Sequence, residues 1–149
     1  MLRIHLQPQW QIGPEDGERL DASLLLMGEF QFLAHDDPRF IGTVRAVERH
    51  LQRGDFLLRY DEEDDFGHPD AAFMVCTLWW IIALDQIGET RRARELFEKV
   101  LARRNHLGLL SEDVSLDAGE LWGNFPQTYS MVGLIQCAAR LSMPWDRAY

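Results

Sequence analysis

The sequence predicts an all-α fold in two layers, an arc of helical hairpins with inner and outer helices alternating and a short extended segment near residues 56–60. Two observations and one physical argument carry this expectation. Segments with helical spacing alternate between two kinds, those apolar nearly all round and those apolar on one face. A helix apolar on every side must be covered from several directions, whereas a one-faced helix needs a single neighbour. Finally, the two longest non-periodic stretches, residues 56–69 and 106–125, each precede an inner segment, so both are expected to open on one rim. Long loops inside compact domains are more often functional than decorative.

Residues 1–18, with Pro8, Gly13, Pro14 and Gly17, lack helical periodicity and read as an irregular lead-in. Asp21 is placed to cap a first inner helix whose apolar body runs through Leu24, Leu25, Leu26, Met27, Phe30, Phe32 and Leu33. His35-Asp36-Asp37-Pro38 ends it and starts the second, with Asp37 as N-cap and Pro38 at the first helical position. There Phe40, Val44, Val47 and Leu51 form one stripe, and Arg45, Glu48, Arg49 and Arg53 fill the other side. Gly54 closes this helix. Phe56-Leu-Leu-Arg-Tyr60 reads as extended, followed by the acidic residues 61–65 and the breaker Gly67-His68-Pro69.

The uncharged run over residues 71–84 predicts a third helix, buried all round, that reaches about Ile87 and closes at Gly88. Thr90 is placed to cap a fourth. Its Ala93, Leu96, Phe97, Val100 and Leu101 recur at amphipathic helical spacing. Pro126 opens a fifth, which runs from Met131 through Ala139 and is apolar on most sides. Residues 19–143 are thus expected to form one domain and 144–149 a tail, within the ~100–200 residues of an ordinary domain.

Composition excludes several function classes. Fifteen Lys and Arg against 24 Asp and Glu give a net charge of −9, a field that repels nucleic-acid phosphates and anionic membrane surfaces. The uncharged run falls short of the ~20 residues a membrane span needs, and the first residues lack a signal-peptide core. The expected location is cytoplasmic. Cys76 and Cys137 offer no disulfide framework and read as small buried hydrophobes. His5, His35, His50, His68 and His106 lack metal-ligand spacing, and residues 61–65 lack the spacing of a calcium loop. No metal or other cofactor is expected. Trp79 and Trp80 lie inside the uncharged run and are assigned to the core. A rival reading starts from Glu89-Thr-Arg-Arg-Ala-Arg-Glu-Leu-Phe-Glu-Lys-Val, which looks like one helix of a tetratricopeptide unit. Such units recur every ~34 residues, whereas the inner segments here begin near Asp21, Pro69 and Pro126 and no second copy appears.

Both long loops carry a more specific pattern. Leu110-Ser-Glu112 is followed by Asp117, Gly119 and Leu121-Trp-Gly-Asn-Phe-Pro-Gln-Thr-Tyr-Ser130. Upstream stand Leu20-Asp-Ala-Ser-Leu-Leu-Leu26, Arg59-Tyr60 and Ala72-Phe-Met-Val-Cys76. Together these resemble the family 15 glycoside hydrolases, the glucoamylase and trehalase-like enzymes, from about Leu20 to about Leu141. The resemblance implies an (α/α)6 toroid of which this chain forms the C-terminal part. It implies an inverting hydrolase acting on α-glucosidic bonds, with an oligosaccharide or disaccharide as substrate. Glu112 then corresponds to the general base and Arg59 to a donor to sugar hydroxyls, with Tyr60 and Trp122 as neighbours of the sugar.

The sequence departs from the family pattern at several positions. Ser115 stands for a usual Asp, although Asp117 is close by. Met131 stands for His, Thr128-Tyr129 for Ala-Phe, and Asp70 for Glu. The family's general acid lies upstream, and no Trp-Glu segment of that kind precedes Asp21. The expectation is a fragment that holds the base without the acid and is inactive alone. Either self-association or a missing N-terminal portion would cover its open edges. The alternative is a sugar-binding or protein-interaction module without turnover.

Overall fold

The computed structural model describes residues 5–6, 12–13, 20–63 and 67–142. Two short antiparallel pairings come first. Strand β1 (His5–Leu6) pairs with β2 (Ile12–Gly13), and after the first helices β3 (Gln52–Arg53) pairs with β4 (Phe56–Leu57). Of the expected lead-in, only β1 and β2 are among the described residues, and the tail at 144–149 lies outside them.

The first inner helix is much shorter than its composition predicts. Asp21 does cap it, accepting from Ser23 N at 2.7 Å, but the chain then forms only a 3₁₀ turn (Ala22–Leu25) and one α-helical turn, α1 (Leu26–Glu29). Gln31 adopts φ 54°, which no helix continues. Phe30 and Phe32 are 75% and 59% exposed, so the element is not covered all round. Gly28 decides its position. A Cβ there would stand 2.5 Å from both Phe40 Cζ and Gln86 Oε1, so only glycine lets this turn lie so close to its neighbours.

Helix α2 (Pro38–Leu51) forms as predicted, with the Asp37 carboxylate accepting from Arg39 N at 2.8 Å and Phe40, Val44, Val47 and Leu51 buried. The Arg39 guanidinium beside it, together with that backbone bond, holds the Asp37 carboxyl down at about 2. The helix ends at Leu51, ahead of Gly54: Arg53 lies on β3, and Gly54, at φ 60°, turns the β3–β4 hairpin rather than closing α2.

The uncharged run divides. Its first three residues form strand β5 (Ala71–Phe73) and the remainder forms helix α3 (Met74–Gln86). Ten of the residues from Met74 to Leu84 are buried, Trp80 fully so and Trp79 partly. Helix α3 is the axle of the fold: the 3₁₀ turn, α1, α2, α4 (Thr90–Leu101) and α5 (Thr128–Leu141) all pack against it. Gly88, at φ 89°, closes α3. Glu89 rather than Thr90 occupies the N-cap of α4 and makes no side-chain capping bond; the Thr90 hydroxyl donates instead to Asp85 at 2.7 Å. Helix α4 buries Ala93, Leu96, Phe97 and Val100 as predicted.

Helix α5 is capped by Gln127, whose side chain accepts from Thr128 N at 2.9 Å. It buries one face, Ser130, Gly133, Cys137 and Leu141. The rest is less covered than its composition predicts, with Val132 and Ile135 at 48% and 62% exposed. A Cβ on Gly133 would stand 2.9 Å from Leu78 Cδ1, which marks the close approach of α5 to α3.

The two outer helices are joined by ions. Arg45 of α2 bonds Glu89 and Arg92 of α4 bonds Glu48; Arg45–Glu48 at 3.2 Å and Arg92–Glu89 at 3.3 Å complete a four-member network. The all-α expectation needs correction in one further place. Residues 106–125, expected to be loop, supply β6 (Asp113–Ser115) and β7 (Leu121–Trp122), which join β5 in an antiparallel sheet of order β5-β6-β7. Among the described residues the fold is helix-rich with three small sheets, and α3 forms its centre. No helix among the described residues is long and apolar enough to cross a membrane.

Candidate active site

The β5-β6-β7 sheet sits at the N-terminal end of α3 and fixes the second long loop. Val114 points inward, fully buried opposite Ala72, so Asp113 and Ser115 are turned the other way by strand alternation. Glu112, one residue ahead of β6, is held through its backbone on both sides. Its N–H donates to Asn124 O at 2.9 Å, and its carbonyl accepts from Met74 N at 2.8 Å. The turn between β6 and β7 closes through Gly119 at φ 67°, with Ala118 N donating to Ser115 Oγ at 3.2 Å. Alternating Val114 and Leu116 ahead of Asp117-Ala-Gly119 is a hairpin signal that was present in the sequence. The short strands were hidden by the longer loop around them.

The first long loop is pinned to the same end of α3. Leu57 N donates to the buried Thr77 hydroxyl at 3.0 Å, Leu58 N to Leu51 O at 2.9 Å, and Arg59 O accepts from Ala22 N at 2.8 Å. These bonds carry Arg59 and Tyr60 to the rim. Both loops then meet in one open cleft of about 690 Å³, where Arg59, Tyr60, His68 and Asp70 face Glu112 and Asp113.

The Glu112 carboxylate is surrounded by donors. Oε2 accepts from Asn124 N at 3.1 Å and Asn124 Nδ2 at 2.7 Å, and Oε1 accepts from the Tyr129 hydroxyl at 2.5 Å. The Tyr129 bond, then those from Asn124, hold the Glu112 carboxyl below its ordinary range, because donors favour the charged form. The Tyr129 phenol is pushed up to about 12 by desolvation and by its bond to Glu112. Gly123 makes room for this loop. It takes φ 77°, and a Cβ on it would stand 2.9 Å from Asp113 Oδ2 and 3.1 Å from Glu112 Oε2.

Asp113 was not singled out by the sequence. Burial, then the neighbouring charges of Glu112 and Asp70, push its carboxyl up to about 6. Two adjacent carboxyls in one cleft therefore differ in their readiness to ionise, because one has hydrogen-bond donors and the other is desolvated. The signal was the Glu-Asp pair itself, whose separation in character only the fold creates.

The predicted residues fare differently. Glu112, Arg59 and Tyr60 line one cleft. The Arg59 side chain is half exposed, and its Nε donates to Asp21 Oδ2 at 3.3 Å. Trp122 lies on β7, paired across from Asp113 and 41% exposed, and is not among the described residues lining the cleft. Asp117 is exposed in the β6–β7 turn, and Ser115 is buried. Cys76 and Cys137 are both buried, and burial pushes both thiols up. No group of His, Cys, Asp and Glu among the described residues is arranged to hold a metal ion.

Comparison with known proteins gives this geometry its context. The chain is 36% identical over 125 residues to a trehalase of Thermoplasma volcanium, covering 83% of this chain and 20% of that protein. It is 36% identical over 127 residues to a trehalase of Mycobacterium tuberculosis, covering 83% and 19%. The chain thus spans about a fifth of the length of these curated relatives. A solved structure titled "Glycosidase Wild Type" shares the fold at a TM-score of 0.77 and 19% identity, over 91% of this chain and 40% of that one. The family profile described as "Glycosyl hydrolases family 15" matches residues 5–139. The chain belongs to glycosyl hydrolase family 15.

Proposed function

We propose that this chain supplies the general-base half of an inverting glycoside hydrolase acting on an α-glucosidic disaccharide of the trehalose type. The observation that carries the reading is Glu112: an ionised carboxylate in an open polar cleft, held by three donors and flanked by an arginine. Glu112 removes the proton from a water as that water attacks the anomeric carbon. The bond to the leaving oxygen breaks as a general acid protonates it. In inverting enzymes the two carboxyl groups stand roughly 6.5–9.5 Å apart with the water between them. The acid comes from sequence outside these residues, in the remaining four-fifths of a protein of the relatives' length. Arg59, and Tyr60 beside it, hold sugar hydroxyls across the cleft, a role suited to a guanidinium's fan of donors. Trp122, a strand away, flanks the sugar if the remaining sequence extends the cleft over β7. The trehalase relatives favour trehalose over a glucan.

The test is a chimera in which this chain replaces the matching region of the Thermoplasma volcanium trehalase, assayed for glucose release. Trehalose hydrolysis is expected, falling by about 10²–10⁴-fold on Glu112→Gln. Undiminished turnover in the Gln variant overturns the base assignment. Hydrolysis of maltose but not trehalose overturns the substrate. Glucose release by the 149-residue chain alone overturns the placement of the acid elsewhere.

A further inference from the structure

Resting on the reading of Glu112 as base, we propose that Tyr129 is a positioning residue that fixes the carboxylate so that Oε1 is the oxygen that takes the water's proton. An ionised carboxylate offers about four acceptor positions, two on each oxygen. Both Asn124 donors fall on Oε2 and fill it, while Oε1 receives, among the described residues, the Tyr129 hydroxyl alone. Against the donors among the described residues, one acceptor position therefore remains, on Oε1, in a side chain that lines the cleft.

Tyr129 is itself well placed to impose this. It stands in the first turn of α5, and its ring meets Phe73 edge-on, with centroids 5.4 Å apart and planes at 85°. The hydroxyl is thus aimed by a helix on one side and by strand β5 on the other.

The hydroxyl also affects charge. Arg59, Tyr60, His68, Asp70 and Asp113 face the same cleft as Glu112. Two of these are carboxyls, and like charges nearby disfavour a further ionisation. Desolvation also opposes the ionisation of Glu112, and donation from Tyr129 and Asn124 outweighs it, holding the carboxyl below its ordinary range. Losing one of the donors shifts Glu112 toward protonation.

The experiment is a carboxyl-carbon NMR titration of the whole chain and of its Tyr129→Phe variant, which keeps the ring and its contact with Phe73. The Glu112 midpoint is expected to move to higher pH in the variant while the melting temperature changes little. In the chimera, the acid limb of the pH–rate profile should move the same way, and the rate on the plateau should fall, because the carboxylate loses the bond that orients Oε1. A role in packing alone would lower the rate at every pH and leave the limb in place. An unmoved Glu112 midpoint overturns the proposal even where Glu112→Gln abolishes turnover, so the two readings fail separately. As a second measurement, the Tyr129 phenol in Glu112→Gln should ionise at lower pH than in the unaltered chain. An unchanged phenol midpoint likewise counts against the bond.

Discussion

The body of α3 and its N-terminal end present opposite environments on one element. Along the body, Trp80, Ile81, Ala83 and Leu84 are sealed by the 3₁₀ turn, α2, α4 and α5. At the N-terminal end, β5, β6 and the two long loops gather Arg59, Asp70, Glu112 and Asp113 around an open cleft. The body holds the fold together by removing apolar surface from water. The end does little of that and instead places carboxylates in contrasting surroundings. Stability and chemistry are thus divided along a helix, and substitutions at its two ends should separate them.

The largest effect is expected in the body. Trp80→Ala empties the most voluminous fully buried position and should lower unfolding free energy by about 3–5 kcal/mol in a denaturant titration. A loss below ~1 kcal/mol would mean that α3 is not the axle. At the cleft end, Gly123→Ala places a side chain at φ 77° against the two carboxylates. A cost of roughly 1–2 kcal/mol is expected from the left-handed backbone alone. The sugar binding proposed for the cleft should fall with it, because Glu112 and Asp113 must move; unchanged affinity by calorimetry would show that the loop relaxes without them.

Asp113→Asn should act in the other direction. The native Asp113 carboxyl, pushed up from 3.8 to about 6, binds its proton more tightly than the unfolded chain does. Its ionisation therefore opposes folding. The penalty is absent below pH 3.8, grows as pH rises to about 6, and is complete above that. The Asn variant should be more stable than the unaltered chain at neutral pH by about 1 kcal/mol, after discounting for solvent, and no more stable once the pH falls below the ordinary carboxyl value of 3.8. A constant difference across that range would remove Asp113 from the pH dependence. The smallest effect belongs to the outer surface. Glu48→Ala breaks the network between α2 and α4, and should cost less than ~1 kcal/mol, shrinking further as salt is added.

Much of this is legible in the sequence, for identifiable reasons. Asp37-Pro38 opens α2, and Ala93, Leu96, Phe97 and Val100 mark the buried face of α4, because caps and periodicity act within a few residues. Glu112, Arg59 and Tyr60 are legible as a motif, and share a cleft. The first inner helix is not, because Phe30 and Phe32 are apolar yet exposed, and because Gly28 answers to Phe40 and Gln86, which are distant in sequence. The uncharged run reads wholly as helix, since nothing within it announces that Ala71–Phe73 will find Asp113–Ser115.

The sequence by itself determined the helical segments with strong end signals, the acidic character, and the Leu-Ser-Glu and Gly-Asn-Phe-Pro-Gln loops that mark the family. These depend on local spacing and on residue type. Only the tertiary structure decided which carboxyl is held ionised and which is desolvated, that Tyr129 rather than a more distant group meets Glu112, and that Trp122 pairs across from Asp113. Those outcomes depend on what packs against each side chain from elsewhere in the chain, and an isolated segment carries no record of its eventual neighbours.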